Sequence, residues 1–249
     1  MKHYLMVDLG TGNSRVALVD SDGGILGLRT YTNVYHRDSA YEDGQYFLPE
    51  DWAALLLQGC RELCREHPDV QVNAVSAAGA RQSFVLLDGN GRAFLGLPNI
   101  DNRGRAYMAQ VPEHDEIYRL SGKWATEDFG AAKLLGLRMQ HPEQYEAVES
   151  VLSLSEWIAW IFTGRKVMEY TQACESQLYD IGQRSWSQTL CSFYGLRPEF
   201  LPPLQAAGTA GGPILDTYRR ELGMAKDAVF VLGGADTQIA LLQTGIRPG

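Results

Sequence analysis

Three strand-like runs crowd the start of the chain, and that order of elements constrains the fold more than any other feature of the sequence. Tyr4 to Asp8 is apolar, Arg15 to Asp20 carries Val16, Ala17, Leu18 and Val19, and Ile25 to Tyr31 follows the turn residues Ser21-Asp22-Gly23-Gly24. Short apolar and β-branched runs separated by Gly, Asp and Ser read as strands with tight reversals, so an antiparallel meander is expected. The first reversal, Leu9-Gly10-Thr11-Gly12-Asn13, holds two glycines, which accept backbone angles that other residues resist.

Helices and strands alternate after the meander. Pro49 opens a periodic stretch to about Arg65 that reads as an amphipathic helix with proline in its first turn. A buried strand is expected over Val72 to Ala77. Phe84 to Leu87 and Ala93 to Leu97 flank Asp88-Gly89-Asn90-Gly91, a hairpin signal. Further helices are expected near Gly130 to Met139, Glu143 to Val148 and Ser155 to Thr163, the last closed by Gly164. Ala228 to Leu232 reads as a strand that runs into Gly233-Gly234-Ala235-Asp236, with a helix starting at Thr237 and reaching Gln243. No repeat, charge block or linker interrupts the pattern, so one continuous domain is expected over 1–249.

Composition narrows the function classes. The 22 basic and 30 acidic residues leave a net charge of −8, a poor match for a duplex nucleic acid that needs its phosphates neutralised. There is no signal peptide and no apolar run long enough to span a bilayer, which points to a cytoplasmic protein without a membrane partner. Cys60 and Cys64 lie one helical turn apart, and with Cys174 and Cys191 they form no metal-type spacing; all four read as structural thiols. Trp52, Trp157, Trp160 and Trp186 sit in apolar surroundings and read as core. The histidines are scattered and receive no catalytic role.

Two constellations carry chemistry. Asp8-Leu-Gly-Thr-Gly-Asn-Ser-Arg15 sets a carboxylate at a strand end beside a turn rich in small and hydroxyl residues. Such a turn can offer backbone N–H groups to a phosphate, and the carboxylate can hold Mg²⁺ through water. It can equally be an ordinary hairpin whose Asp satisfies turn amides. Gly233-Gly-Ala-Asp236-Thr-Gln238 sets a second carboxylate between a strand and a helix start, which can stabilise negative charge developing on a transferred phosphoryl group. Asp236 can equally be only a helix cap. Taken together, a metal holder and a general base are the parts required for in-line phosphoryl transfer.

Seven segments in order resemble the FGGY family of carbohydrate kinases: Asp8-x-Gly-Thr-Gly-x-x-Arg15, Ala80-Arg81-Gln82, Asn99-Ile-Asp101-Asn-Arg103, Phe129-x-x-x-Lys133-Leu, Ser155-Glu-Trp-x-x-x-x-x-Thr163-Gly164, Trp186 and Gly233-Gly-x-Asp236-x-Gln238. The resemblance implies an α/β, ribonuclease H-like fold of the actin, hexokinase and Hsp70 type: a mixed five-stranded sheet flanked by helices, with helical insertions. It implies ATP and Mg²⁺ as cofactors and a small sugar or polyol as substrate. By the same resemblance Asp236 is the general base, Asp8 lies near the metal, and Thr11, Gly12 and Asn13 face the phosphates. Arg81, Gln82, Asp101, Phe129 and Gln238 are the expected substrate contacts; Arg15 matches the motif but can be structural.

Departures from the family pattern shape the substrate expectation. Many members carry Trp where Asn99 stands and Asp where Glu156 stands. Asn99 resembles the autoinducer-2 kinase branch, whose substrates are linear, and Arg81-Gln82 fits that branch or the glycerol kinases better than xylulokinases. An open-chain or small polyol is therefore expected. FGGY members are about twice as long, so the resemblance also implies that a C-terminal nucleotide-binding domain is missing beyond Thr244 to Gly249 and that this N-terminal half is inactive alone. Two rivals are weighed against this reading: an RNase-H-like nuclease, which the acidic net charge and the Gly-Gly-x-Asp setting of Asp236 disfavour, and a non-catalytic actin-like sensor of sugar or nucleotide. The natural sugar and any homo-oligomer stay open.

Overall fold

A computed structural model describes residues 1–245 of the chain. The stretch expected to lead into a second domain ends in 246–249, which lie outside the described residues. In chain order the elements are β1 (His3–Leu9), β2 (Asn13–Asp20), β3 (Ile25–Thr32), β4 (His36–Asp38), β5 (Gly44–Tyr46), α1 (Pro49–Glu66), β6 (Val72–Gly79), β7 (Phe84–Leu87) and β8 (Ala93–Leu97). A 3-10 turn at Arg105–Gln110 follows, then α2 (His114–Ser121), α3 (Gly130–Gln140), α4 (Pro142–Glu146), β9 (Ser150–Ser153) and α5 (Leu154–Thr163). The last part holds β10 (Met168–Glu169), α6 (Tyr170–Cys174), β11 (Tyr179–Asp180), β12 (Ser185–Trp186), α7 (Gln188–Tyr194), β13 (Leu204–Gln205), β14 (Ala210–Pro213), α8 (Asp216–Glu221), β15 (Val229–Ala235) and α9 (Asp236–Gln243).

The main sheet has the order β14-β15-β6-β1-β2-β3. The expected five strands are all present, and short β14 adds a sixth at the edge beside β15. β1, β2 and β3 pair antiparallel as a meander, whereas β6 joins β1 in parallel and β15 joins β6 in parallel. Parallel neighbours require a crossover on one face. α1 supplies the first, from β3 to β6, and buries Trp52, Leu56, Cys60 and Leu63 against Leu5, Val7, Leu9, Val16 and Leu18 of the sheet. Proline at its first turn and Glu50 and Asp51 beside it mark the start of α1, as the sequence implies.

The second crossover, from β6 to β15, is long and carries a core of its own. Within it β7 is buried on both faces: Val85 and Leu87 join the first core, Phe84 and Leu86 the second. Four consecutive apolar residues are what a strand enclosed on both sides needs. β8 and β9 flank β7, and Asp88 Oδ1 accepts from Asn90 and Arg92 N–H to close the hairpin at Gly91, φ +78°. The second core gathers Ile117, Leu134, Leu137, Tyr145, Leu178, Tyr194 and Phe200. Trp52 and Trp157 are buried as expected; Trp160 and Trp186 are half-buried. Trp124, 56% exposed, stacks on Tyr118 at 4.4 Å. Cys60 is buried, Cys64 packs against the same core, and all four cysteines are free thiols. No helix among the described residues is long and apolar enough to cross a membrane.

α5 runs from the end of β9 and ends at Gly164, φ +69°, whose N–H reaches Trp160 O. Its Glu156 is fully buried. Burial pushes this carboxyl up to about 7; bonds from Ser153 and Ser155 oppose the shift and the charge of Glu169 adds to it. Between 4.5 and about 7 the folded chain thus keeps a proton that the unfolded chain has released, so stability falls as pH rises through that window and levels off above it. Moving the carboxyl from 4.5 to about 7 corresponds to a loss on the order of 3 kcal/mol. Glu156→Gln is expected to remove this loss: denaturant unfolding should show the variant gaining roughly 1–3 kcal/mol on wild type between about pH 5 and about pH 8. An unchanged difference across that range would mean that Glu156 is ionised in the folded chain.

Candidate functional site

Parallel pairing brings the two constellations to one edge of the sheet. Across β1, β6 and β15 the register runs Asp8, Ala78, Gly234, then Leu9, Gly79, Ala235. Adjacent strands lie about 4.8 Å apart, so the ends of β1 and β15 are separated by roughly 10 Å with β6 between them. The turn Gly10–Asn13, the turn after Gly79 and the start of α9 therefore project from the same, carboxyl-terminal side. The acidic groups of interest share one edge.

The first turn is held by its carbonyls. Asn33 Nδ2 donates to Gly10 O at 2.7 Å and Thr11 O at 3.2 Å, Tyr35 Oη to Thr11 O at 2.5 Å, and Asn33 N to Gly12 O at 3.0 Å. Among the described residues the N–H groups of Thr11 and Gly12 have no acceptor, and the space a side chain at Gly12 would take is open. Carbonyls tied behind and N–H groups free in front make a seat for an anion. Asn33 and Tyr35 are absent from the sequence-based candidates. They lie in an irregular loop after β3, and only the fold shows which turn they reach.

Asp8 is about half-exposed and its Oδ2 accepts from Arg15 Nη1 at 2.8 Å. Arg15 thus serves the carboxylate directly across the β1–β2 pair, where the register sets Asp8 against Arg15. No group of three or more candidate metal-ligating side chains occurs among the described residues. One carboxylate with adjoining free N–H groups suits a magnesium ion that draws its other ligands from phosphate and water.

Beyond β6, Arg81 is exposed and Gln82 takes φ +60°. A non-glycine residue there costs about 1 kcal/mol or more and is held by its surroundings. Ser83 Oγ, next along, accepts from Asn99 N–H at 2.9 Å, and Asn99 Nδ2 donates to Thr11 Oγ1 at 2.8 Å. The segment after β8 is thereby fastened to the Gly10–Asn13 turn. Fully buried Lys133 of α3 anchors it from beneath, donating to Pro98 O at 2.8 Å and Asn99 O at 3.2 Å. Burial lowers the Lys133 amine to about 8, against the pull of Asp101 and Asp128.

Asp101 is not at the rim. It is fully buried; Oδ1 accepts from Gln45 N–H at 2.8 Å and Oδ2 from Arg103 Nε at 2.7 Å. Both carboxylate oxygens thus help to hold β5 under the loop, and full burial keeps them from the rim. Phe129 is half-buried at the start of α3 with Lys123 Nζ 5.1 Å over its ring, so one face of the ring is taken.

At the other end of the edge, Asp236 is the first residue of α9. Its Oδ1 accepts from Thr237 N–H at 2.5 Å and Thr237 Oγ1 at 3.1 Å, while Oδ2 has no protein partner among the described residues. One oxygen is fixed and the other left able to accept a proton. Gln238, two residues on, has a buried Oε1 without a partner among the described residues. The strand ends form an open ledge: Asp8 is half-exposed and Arg81 and Thr237 are exposed.

Residues 3–243 match the N-terminal domain of the FGGY family of carbohydrate kinases. The chain is 40% identical over 245 residues to the sugar kinase YoaC of Bacillus subtilis, covering 98% of this chain and 50% of that protein. It is 28% identical to an autoinducer-2 kinase of Salmonella choleraesuis, covering 99% and 48%. The chain thus spans about half the length of the curated relatives it matches. Among solved structures it resembles a ligand-bound xylulose kinase of Lactobacillus acidophilus, with TM-score 0.88, 19% identity and coverage of 98% and 50%. A glycerol kinase of Plasmodium falciparum with ADP gives TM-score 0.86 at 16% identity, covering 98% and 50%. These likenesses bear out the actin- and hexokinase-like fold expected from the sequence. With 241 of its residues matched in sequence and its fold shared, the chain belongs to the FGGY family of carbohydrate kinases.

Proposed function

We propose that this chain forms the sugar-binding, base-bearing half of an ATP-dependent kinase that phosphorylates a hydroxyl of a small, open-chain sugar or polyol. The observation that carries the reading is the pairing, on one sheet edge, of a turn with two free N–H groups and a carboxylate with one free oxygen. In this reading Asp236 Oδ2 takes the proton from the attacking hydroxyl while Thr11, Gly12 and Asn13 face the phosphates of ATP. Asp8 would hold Mg²⁺, which would supply positive charge beside the transferred group.

Arg81, Gln82 and Gln238 are the proposed contacts to substrate hydroxyls, each able to complement a group that both donates and accepts. Asp101 acts indirectly, by fixing the loop that carries Asn99. A side chain as small as Asn99, already bonded to Thr11, leaves room for a flexible linear substrate. The 28% identity to an autoinducer-2 kinase supports the same choice. Phe129 contributes an apolar wall through its free face.

An open ledge cannot exclude water from a transferring phosphoryl group. The 249 residues alone are therefore expected to show negligible ATP consumption with a panel of pentoses and polyols; clear turnover would overturn the two-half reading. In a protein that also carries a nucleotide-binding half, Asp236→Asn is expected to lower kcat by about a hundredfold or more with little change in KM. A retained response to ligand without any dependence on Asp236 would favour a sensor instead. Asn33→Ala is expected to weaken ATP binding about tenfold by calorimetry, and the gentler Tyr35→Phe a few-fold, by letting the turn relax. Unchanged affinity in both folded variants would remove the phosphates from this turn.

A further inference from the structure

Thr171 and Gln172, neighbours at the start of α6, stand between the ends of β6 and β15. Gln172 Nε2 donates to Gly79 O, on the last residue of β6, at 3.0 Å. Thr171 Oγ1 accepts from Ala235 N–H, on the last residue of β15, at 3.0 Å. Gly79 and Ala235 are register partners, so these are groups through which a parallel ladder could have continued. Two adjacent side chains of one short helix take up both, and the strand ends are set by the helix rather than by each other.

Glu169 stands behind Thr171. It is 3% exposed, and its Oε2 accepts from Thr171 N–H at 2.7 Å and from the Thr171 hydroxyl. A hydroxyl has one proton. With that proton directed to the carboxylate, the oxygen of Thr171 is left to accept from Ala235, and the order Ala235 N–H to Thr171 to Glu169 is fixed. The backbone lies hard against this pair: Gly234 has φ +147°, and a side chain there would meet Glu169 Oε2 at 2.7 Å and Thr171 Oγ1 at 3.0 Å. The ladder shifts register between Leu232 and Gly234, just before Asp236 leaves the sheet.

We infer that Thr171, backed by Glu169, is a positioning residue for Asp236: it fixes the residue from which α9 starts and so the point at which the carboxylate reaches the sheet edge. The inference rests on the reading of Asp236 as the base. Its test does not. Thr171→Val keeps the shape of the side chain and removes the hydroxyl, whereas Thr171→Ser keeps the hydroxyl.

Residue-resolved amide exchange and amide spectra of the full chain give the readout. In Thr171→Val the amide of Ala235 is expected to exchange at least about tenfold faster while those of β1 stay unchanged. The Thr237 amide resonance, which reports its bond to Asp236 Oδ1, is expected to move. Thr171→Ser should restore both. Glu169→Gln is expected to shift the same resonances in the same direction, by less. Equal acceleration across β1 and β15, or a Thr237 resonance that ignores the substitution, would mark Thr171 as a packing group only and overturn the inference. Failure of the underlying reading looks different: in a protein that also carries a nucleotide-binding half, Asp236→Asn would retain turnover while Ala235 still responded to Thr171→Val, and the inference would then fall with the base it serves.

Discussion

The parallel ladder of β1, β6 and β15 is the constraint on which the rest of the molecule depends. Had either neighbour paired antiparallel, its outgoing turn would lie at the opposite edge, a full strand length of about 20 Å away. In parallel register, Leu9, Gly79 and Ala235 end together, and three separate chain reversals meet at one ledge. The cost is two crossovers. α1 serves as the first, and the second has grown into a body with its own core, joined to the first through β7 and β9. Because β7 is enclosed by both cores, its position transmits the packing of the insertion to the turn after β6.

Buried and exposed polar groups divide the labour at that ledge. Beneath it the charges are compensated: Arg103 is fully buried, bonds Asp101 and Gln45 O, and lies 4.9 Å over the ring of Tyr41, while Lys133 faces two carbonyls. Removing one partner from such a set leaves an unpaired buried charge, typically a loss of 3–5 kcal/mol, roughly a third of a domain's whole stability. At the rim the balance is reversed, with the N–H groups of Thr11 and Gly12 and one oxygen of Asp236 uncommitted. Rigid support below is what allows polar groups above to wait for a ligand without rearranging.

Long periodic segments were readable from the sequence, and short ones only where they are punctuated. The meander, α1, the β7–β8 hairpin, α3 and α5 follow from apolar spacing and from Pro49, Asp88-Gly89-Asn90-Gly91 and Gly164. α7 carries local signals that the sequence analysis does not use: Ser187 caps it, accepting from Leu190 N–H, and Gly195 ends it with φ +62°. β14 gave none. Ala-Gly-Gly-Pro has little strand propensity, and it pairs only because β15 offers an edge beside it. Two-residue strands such as β10 and β13 exist only as contacts between distant segments, with no local periodicity to detect.

The candidate site divides along the same line. Asp8 and Asp236 could be found because strand, turn and helix start are local patterns that leave marks in sequence. What those patterns cannot specify is orientation. Gly10-Thr11-Gly12 permits many backbone arrangements, and two glycines widen the choice rather than narrow it. The one adopted is selected some twenty residues later in the chain, by Asn33 and Tyr35, which occupy the carbonyl side and so leave the N–H side outward. Asp101 illustrates the converse: an acid in a motif segment, spent on Arg103 and Gln45 inside the protein. A carboxylate's chemistry is decided by which of its oxygens the fold has already engaged. The cap that the sequence also allowed at Asp236 is not what forms: Ala235 is the N-cap residue of α9, and Asp236 is its first helical residue, with one oxygen engaged by its neighbour Thr237 and the other left available.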